Sequence, residues 1–117
     1  MALYYNLAKI YEISENDYEF ALQVVSSFLE EVPIEIDLIK TGISEKDYNK
    51  VYASAHKIKP SLDLLGMDLA FEENLEIMKW AKKNGKKKEI SETYKSLKKH
   101  VNSAIKELKK DFKIDQE

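Results

Sequence analysis

The chain has 117 residues, a length that suits one domain with its own hydrophobic core. It contains no cysteine, which excludes disulfides, thiolate metal ligands and a cysteine nucleophile. The net charge of −2 combines −6 in residues 1–50 with +4 in residues 51–117, and all 19 basic residues are lysine. Because arginine is the favoured reader of guanine, its absence argues against sequence-specific nucleic-acid binding.

Two helices are predicted before the first proline. Residues 4–13 form a short first helix. Ser14 or Asn16 can cap a second helix, because either side chain accepts a bond from an unpaired helical N–H, and this helix ends near residue 31.

The middle of the chain predicts a short segment and a longer helix. Pro33 suits the first turn of a segment over 33–40, which ends near Gly42 in a left-handed cap. Residues 44–47 resemble a capping box and open the next helix. This helix extends to residue 65, and Gly66 breaks it.

The last part of the chain predicts two more helices. Asp68 can cap a helix that ends near residue 83, and Asn84-Gly85 is the clearest loop signal in the chain. The final helix covers 91–112. Four main helices with short links and a short extra N-terminal helix predict an all-α domain over 1–117, an up-down four-helix bundle.

The helix before Gly66 is predicted to hold His56 in water. At 100° per residue, one narrow arc of this helix is apolar and forms its core face: Val51, Ala55, Ile58, Leu62 and Leu65. The opposite arc surrounds the histidine with polar or compact side chains: Asn49, Tyr52, Lys59, Pro60 and Asp63. An exposed histidine is largely neutral at pH 7 and can act as a nucleophile.

The residues from His56 onward resemble the signature of the histidine phosphotransfer (HPt) domain, which reads His-x-x-Lys-Gly-Ser with a further glycine ten residues after the histidine. This chain matches at His56, Lys59, Ser61 and Gly66. A Phe-x-x-x-x-Pro pattern of the preceding helices is also similar, in residues 28–33. The family's fold is a four-helix bundle, often with an extra N-terminal helix, so the resemblance covers most of the chain.

The resemblance implies a role for each residue of this face. His56 is the expected phosphorylation site and Lys59 the expected charge support for the phosphoryl group, while Ser61 and Gly66 are structural. The expected partner contacts are Asn49, Tyr52, Pro60 and Asp63.

The resemblance also implies which partners the protein has. They are response-regulator receiver domains and a hybrid sensor histidine kinase. The protein is expected to be a phosphocarrier without kinase activity, metal or cofactor, and magnesium is expected in the receiver. We expect a monomer that binds no nucleic acid. Since the sequence has neither a run of about 18 apolar residues nor a secretory signal, we expect a cytoplasmic protein that does not contact the membrane.

Pro60 departs from the family pattern, which has glycine there. Proline lacks the N–H that would bond the His56 carbonyl, so the helix is expected to bend or loosen at this turn. This leaves a second hypothesis open: a helical adaptor that binds a receiver or kinase but carries no phosphate. A third, weaker hypothesis is a helical bundle that self-associates through an apolar face. The other histidine, His100, lacks a motif and is expected to be solvated.

Overall fold

The computed structural model describes residues 4–114, and this part of the chain contains helices and no strand. The predicted all-α class is confirmed. Within this range five helices pack together: α1 (Ala8–Ile13), α2 (Tyr18–Glu45), α3 (Tyr48–Leu64), α4 (Asp68–Lys82) and α5 (Lys87–Asp111).

The start of α2 differs from the prediction. Asn16 has a φ of 67°, in the left-handed region, so it does not cap the helix. Asp17 is the cap, and its side chain accepts a hydrogen bond of 3.2 Å from the Phe20 N–H. Ser14 instead accepts a bond of 3.3 Å from the Asp17 N–H, which stabilises the turn before α2.

The predicted break at Pro33 is wrong, because α2 continues through it for a total of 28 residues. A proline inside a helix costs about 3 kcal/mol. Three neighbouring side chains are no more than 3% exposed: Val32, Ile36 and Ile39. Burying one such side chain contributes about 1.5–3 kcal/mol, so the packing of α2 outweighs the cost of Pro33.

Gly42 does not end a helix, as the sequence suggested, but lies buried within α2. A Cβ at this position would lie 2.7 Å from the Val51 side chain of α3, so glycine allows α2 and α3 to approach closely. The left-handed residue that ends α2 is Lys46, with a φ of 57°. Asp47 then caps α3 by accepting a bond of 3.1 Å from the Lys50 N–H.

The last two helices begin at other residues than predicted. Asp68 is the first residue of α4 rather than its cap. The start of α5 lies at Lys87, four residues before the predicted one, because the Glu89 side chain accepts a bond of 2.8 Å from the Lys86 N–H. The predicted loop at 84–85 is confirmed.

The helices share one core. Both α3 and α5 pack against α2 and α4, which lie between them. Among the described residues, no helix has the length and apolar character that crossing a bilayer requires. One side of α3 faces solvent, and that side carries His56.

Candidate functional site

The two faces of α3 divide as the 100° count predicted. The five residues of the predicted core face are at most 2% exposed, which confirms that prediction: Val51, Ala55, Ile58, Leu62 and Leu65. His56 is exposed on the opposite side. The packing of α3 against its neighbours therefore fixes the direction in which the imidazole points.

An aromatic ring and a lysine from a second helix accompany His56. The Tyr52 ring stacks on the imidazole, with centroids 5.9 Å apart and planes at 21°. On α4, the Lys82 ammonium lies 5.3 Å from the centroid of the Tyr52 ring, within range of a cation–π interaction. The half-buried Tyr52 ring covers one side of the imidazole, while His56 itself is exposed to water.

Lys59 is the cation that follows His56 on the same face. It is half-buried and forms no ion pair among the described residues. Side chains three apart on a helix are neighbours, so its ammonium group can reach an anion held at His56. Lys59 and Lys82 together give this face a positive charge.

Pro60 does not interrupt α3, which is continuous from Tyr48 to Leu64. Its ring is exposed beside His56. Since proline has no N–H, the His56 carbonyl lacks its usual helical donor here. The structure thus keeps a compact surface at position 60 without a break in the helix.

The outer residues of the predicted face have different surroundings. Asp63 is exposed and pairs with Lys9 of α1, with 2.7 Å between Nζ and Oδ2. Asn49 is exposed near the start of α3. Because Lys9 neutralises Asp63, this carboxylate adds little negative charge to the surroundings of His56.

Gly66 ends α3 where the N-terminal segment crosses it. Its φ of +62° lies in the left-handed region. A Cβ here would lie 2.5 Å from the Asn6 carbonyl oxygen, and the Asn6 N–H donates a bond of 2.8 Å to the Leu65 carbonyl. Ser61 is half-buried one turn earlier. Glycine is required at position 66 both for the turn and for this crossing.

Sequence reasoning missed two residues that hold α3 in place. Asn74 of α4 is fully buried and its amide donates a bond of 2.7 Å to the carbonyl of Ala55, next to His56. Glu35 of α2 is also buried and pairs with Lys57 at 3.1 Å. The signal for Asn74 was available: it is the one polar residue in an apolar stripe at helical spacing, with Ala70, Ile77 and Ala81.

The second histidine, His100, was expected to be solvated, and the structure contradicts this. His100 of α5 is not solvated: its side chain is 21% exposed, and Nδ1 lies 2.8 Å from a carboxylate oxygen of Glu73 on α4. The Ser96 hydroxyl donates to the other oxygen of Glu73. Glu73 thus occupies one imidazole nitrogen and places negative charge beside it, which disfavours an incoming phosphoryl group.

The described residues offer a nucleophile and cations, and within residues 4–114 no three histidine or carboxylate side chains group in a way that could hold a metal ion. No protein-family model, curated protein or solved structure matches this chain. The site is therefore argued from its own geometry: an exposed imidazole on a rigid helix, stacked on one side, with two lysines nearby and no carboxylate contact among the described residues.

Proposed function

We propose that this protein is a phosphorelay carrier of the HPt type, with His56 as the phosphorylated residue. The observation that carries the proposal is the exposed His56 ring, which stacks on Tyr52 and has Lys59 one turn further along α3. The match of His56, Lys59, Ser61 and Gly66 to the family signature supports it. In this proposal the five helices correspond to an up-down four-helix bundle with α1 as the extra N-terminal helix.

The proposed reaction moves one phosphoryl group between two side chains. A lone pair of the outer imidazole nitrogen, Nε2, attacks the phosphorus of a phospho-aspartate on a receiver domain. The new P–N bond forms as the P–O bond to the aspartyl carboxylate breaks, and the carboxylate leaves with the electron pair. A second receiver takes the phosphoryl group by the reverse exchange, so His56 ends unchanged.

The chain's own residues contribute position and charge to this exchange. Phosphoryl transfer depends chiefly on alignment and charge neutralisation. Tyr52 restrains the ring of His56, and Lys59 offers an ammonium group to the phosphoryl oxygens, with Lys82 further out. The compact exposed ring of Pro60 leaves room for a receiver to approach. The receiver supplies the magnesium ion and the acidic residues around its aspartate.

The proposed partners follow from this chemistry. A hybrid sensor histidine kinase supplies the phosphoryl group through its receiver, and a response regulator accepts it. The protein acts as a cytoplasmic monomer and needs no nucleotide of its own. Asn49 and Asp63, both exposed, lie at the outer edges of the proposed docking face.

The test is transfer from a phosphorylated receiver in the presence of magnesium, followed as acid-labile label on the purified protein. We expect labelling of the wild type and none of His56→Gln. His100→Gln is the matched control and should be labelled like the wild type, because its ring lies against Glu73. Equal labelling of wild type and His56→Gln would contradict the proposal.

Pro60 supports a second candidate, an adaptor that binds a receiver or kinase without accepting phosphate. Proline denies the His56 carbonyl its helical bond at the turn where transfer takes place. Transfer to the variant Pro60→Gly but not to the wild type would identify a protein whose site is blocked. Binding of a receiver by both, without transfer to either, would identify an adaptor.

A further inference from the structure

A second surface of the protein lies between α2 and α5, away from His56. It is a groove of about 760 Å³ between the C-terminal part of α2 and the N-terminal part of α5. Ile43 and Tyr94 form its apolar floor. Five lysines surround this floor and form what we term the lysine groove: Lys40, Lys87, Lys88, Lys95 and Lys98. No residue of α3 lines it, so its function is separate from the proposed transfer site.

The charge of the lysine groove is strongly one-sided. Glu92 is the one acidic residue that lines it, and it lies 3.6 Å from Lys95. The other four lysines form no ion pair among the described residues. On α2, Asp37 and Glu45 line a neighbouring depression that shares Lys40 and Ser44 with the groove. A cluster of unpaired cations raises the local concentration of anions and favours an acidic partner.

The floor of the groove is recessed and rigid. Tyr94 is only 8% exposed, and its hydroxyl donates a bond of 3.1 Å to the Ile36 carbonyl of α2, which fixes the ring. Ile43 is half-buried. A flat bilayer needs protruding apolar side chains to insert, and this groove offers none. A partner must instead project its own apolar side chains into the groove.

We infer that the lysine groove binds an acidic amphipathic segment of a partner protein. Its apolar side chains contact Ile43 and Tyr94, and its carboxylates face the lysines. This arrangement is the usual one for a helix held in a groove, where apolar anchors give affinity and the charged edges give orientation. The N-terminus of α5, which begins at Lys87, adds the positive end of a helix dipole to the same edge.

The experiment uses the isotope-labelled full chain and a synthetic amphipathic helix of leucine and glutamate as the probe. On titration, we expect saturable changes in the amide NMR signals of residues 40–44 and 87–98, and little change in residues 49–63. A second peptide, with serine in place of leucine at equal charge, should bind at least about tenfold more weakly, because it cannot fill the apolar floor.

Charge-reversal variants distinguish the groove from general electrostatic attraction. The double variant Lys88→Glu/Lys98→Glu should weaken binding of the leucine peptide by about tenfold. The control Lys99→Glu/Lys106→Glu changes the charge equally at exposed positions of α5 outside the groove and should bind as the wild type does. The spectrum of each variant also reports whether the fold is intact.

Three results would overturn the inference. The first is the absence of saturable changes at the groove with the leucine peptide. The second is an equal loss of binding in both double variants, which would mean that net charge alone attracts the peptide. The third is groove-dependent binding to vesicles that contain phosphatidylserine without binding of the peptide, which would assign the surface to a membrane. None of these results depends on His56, so they leave the phosphotransfer proposal intact.

Discussion

His56 on α3 and His100 on α5 are the two histidines of the chain, and their surroundings differ in every respect that matters for chemistry. His56 is exposed, stacks on Tyr52 and contacts no carboxylate among the described residues. His100 is mostly buried between two helices and held by Glu73. The difference shows that the neighbouring helix decides whether a histidine stays exposed or bridges two helices.

The same contrast extends to one further polar side chain of each helix, Tyr94 on α5 and Lys59 on α3. On α5, Tyr94 and His100 both bridge to another helix, to the Ile36 carbonyl and to Glu73 respectively. On the exposed face of α3, Lys59 forms no ion pair among the described residues. Tyr94 and His100 therefore contribute to stability, whereas Lys59 is available to a partner.

The first prediction concerns stability at the two histidines. Glu73→Ala should lower the free energy of unfolding by about 1–3 kcal/mol, because it leaves the partly buried His100 and Ser96 without their acceptor. His56→Ala should change it by less than about 0.5 kcal/mol, as is usual for exposed positions. Urea unfolding followed by circular dichroism measures both, and equal losses would remove the distinction.

The second prediction uses pH to test the buried hydrogen bond from the Tyr94 hydroxyl to the Ile36 carbonyl. Burial, and to a lesser extent the charge of Asp37, raises the pKa of Tyr94 to about 12. An unfolded tyrosine has a pKa near ~10, so the fold favours the protonated phenol. The protonated Tyr94 phenol makes its full contribution to the free energy of unfolding below pH ~10. This contribution, roughly 1–3 kcal/mol in total, is lost as the pH rises through 12.

The matched variant for this pH test is Tyr94→Phe. Lysines titrate in the same range, but they do so in both proteins, so the difference in unfolding free energy between wild type and Tyr94→Phe isolates the phenol. This difference should shrink as the pH rises above ~10. A constant difference up to pH ~12 would show that the Tyr94 hydroxyl is not held by the fold.

The third prediction tests the charge beside His56. If His56 is phosphorylated as proposed, Lys59→Ala should lower the rate of phosphoryl transfer by about tenfold, because it removes the ammonium group proposed to neutralise the phosphoryl oxygens. Lys99→Ala is the matched control: Lys99 is exposed and adjacent in sequence to His100, and its loss should leave the rate unchanged. Single-turnover transfer from a phosphorylated receiver measures both, and equal effects would rule out a local role for Lys59.

The fourth and smallest effect is expected from the ring that stacks on His56. Tyr52→Ala should slow transfer by about threefold, since the imidazole loses its restraint on one side. Tyr52→Phe retains the ring and should transfer like the wild type. If the phenylalanine variant is as slow as the alanine variant, the hydroxyl rather than the stacking is what matters.

Sequence periodicity predicted the faces of helices far better than their ends. The five apolar residues predicted for the core face around His56, from Val51 to Leu65, are all buried, because a helix that packs on one side must place apolar residues at spacings of three and four. Leu69 extends the same spacing but is 66% exposed, since Gly66 ends the helix before it. The predicted break at Pro33 was wrong because the low helix propensity of proline is outweighed by the burial of the side chains on both sides of it.

By itself the sequence determined the helical class, the turn at Gly66 and the exposure of His56, because these depend on local spacing and on the backbone freedom of glycine. Only the tertiary structure decided which polar groups meet. Three contacts each join two different helices: Lys82 over the Tyr52 ring, the bond from Asn74 to the carbonyl of Ala55, and the lysine groove. Such contacts follow from how helices pack, and a helical repeat encodes the face that packs but not the partner it meets.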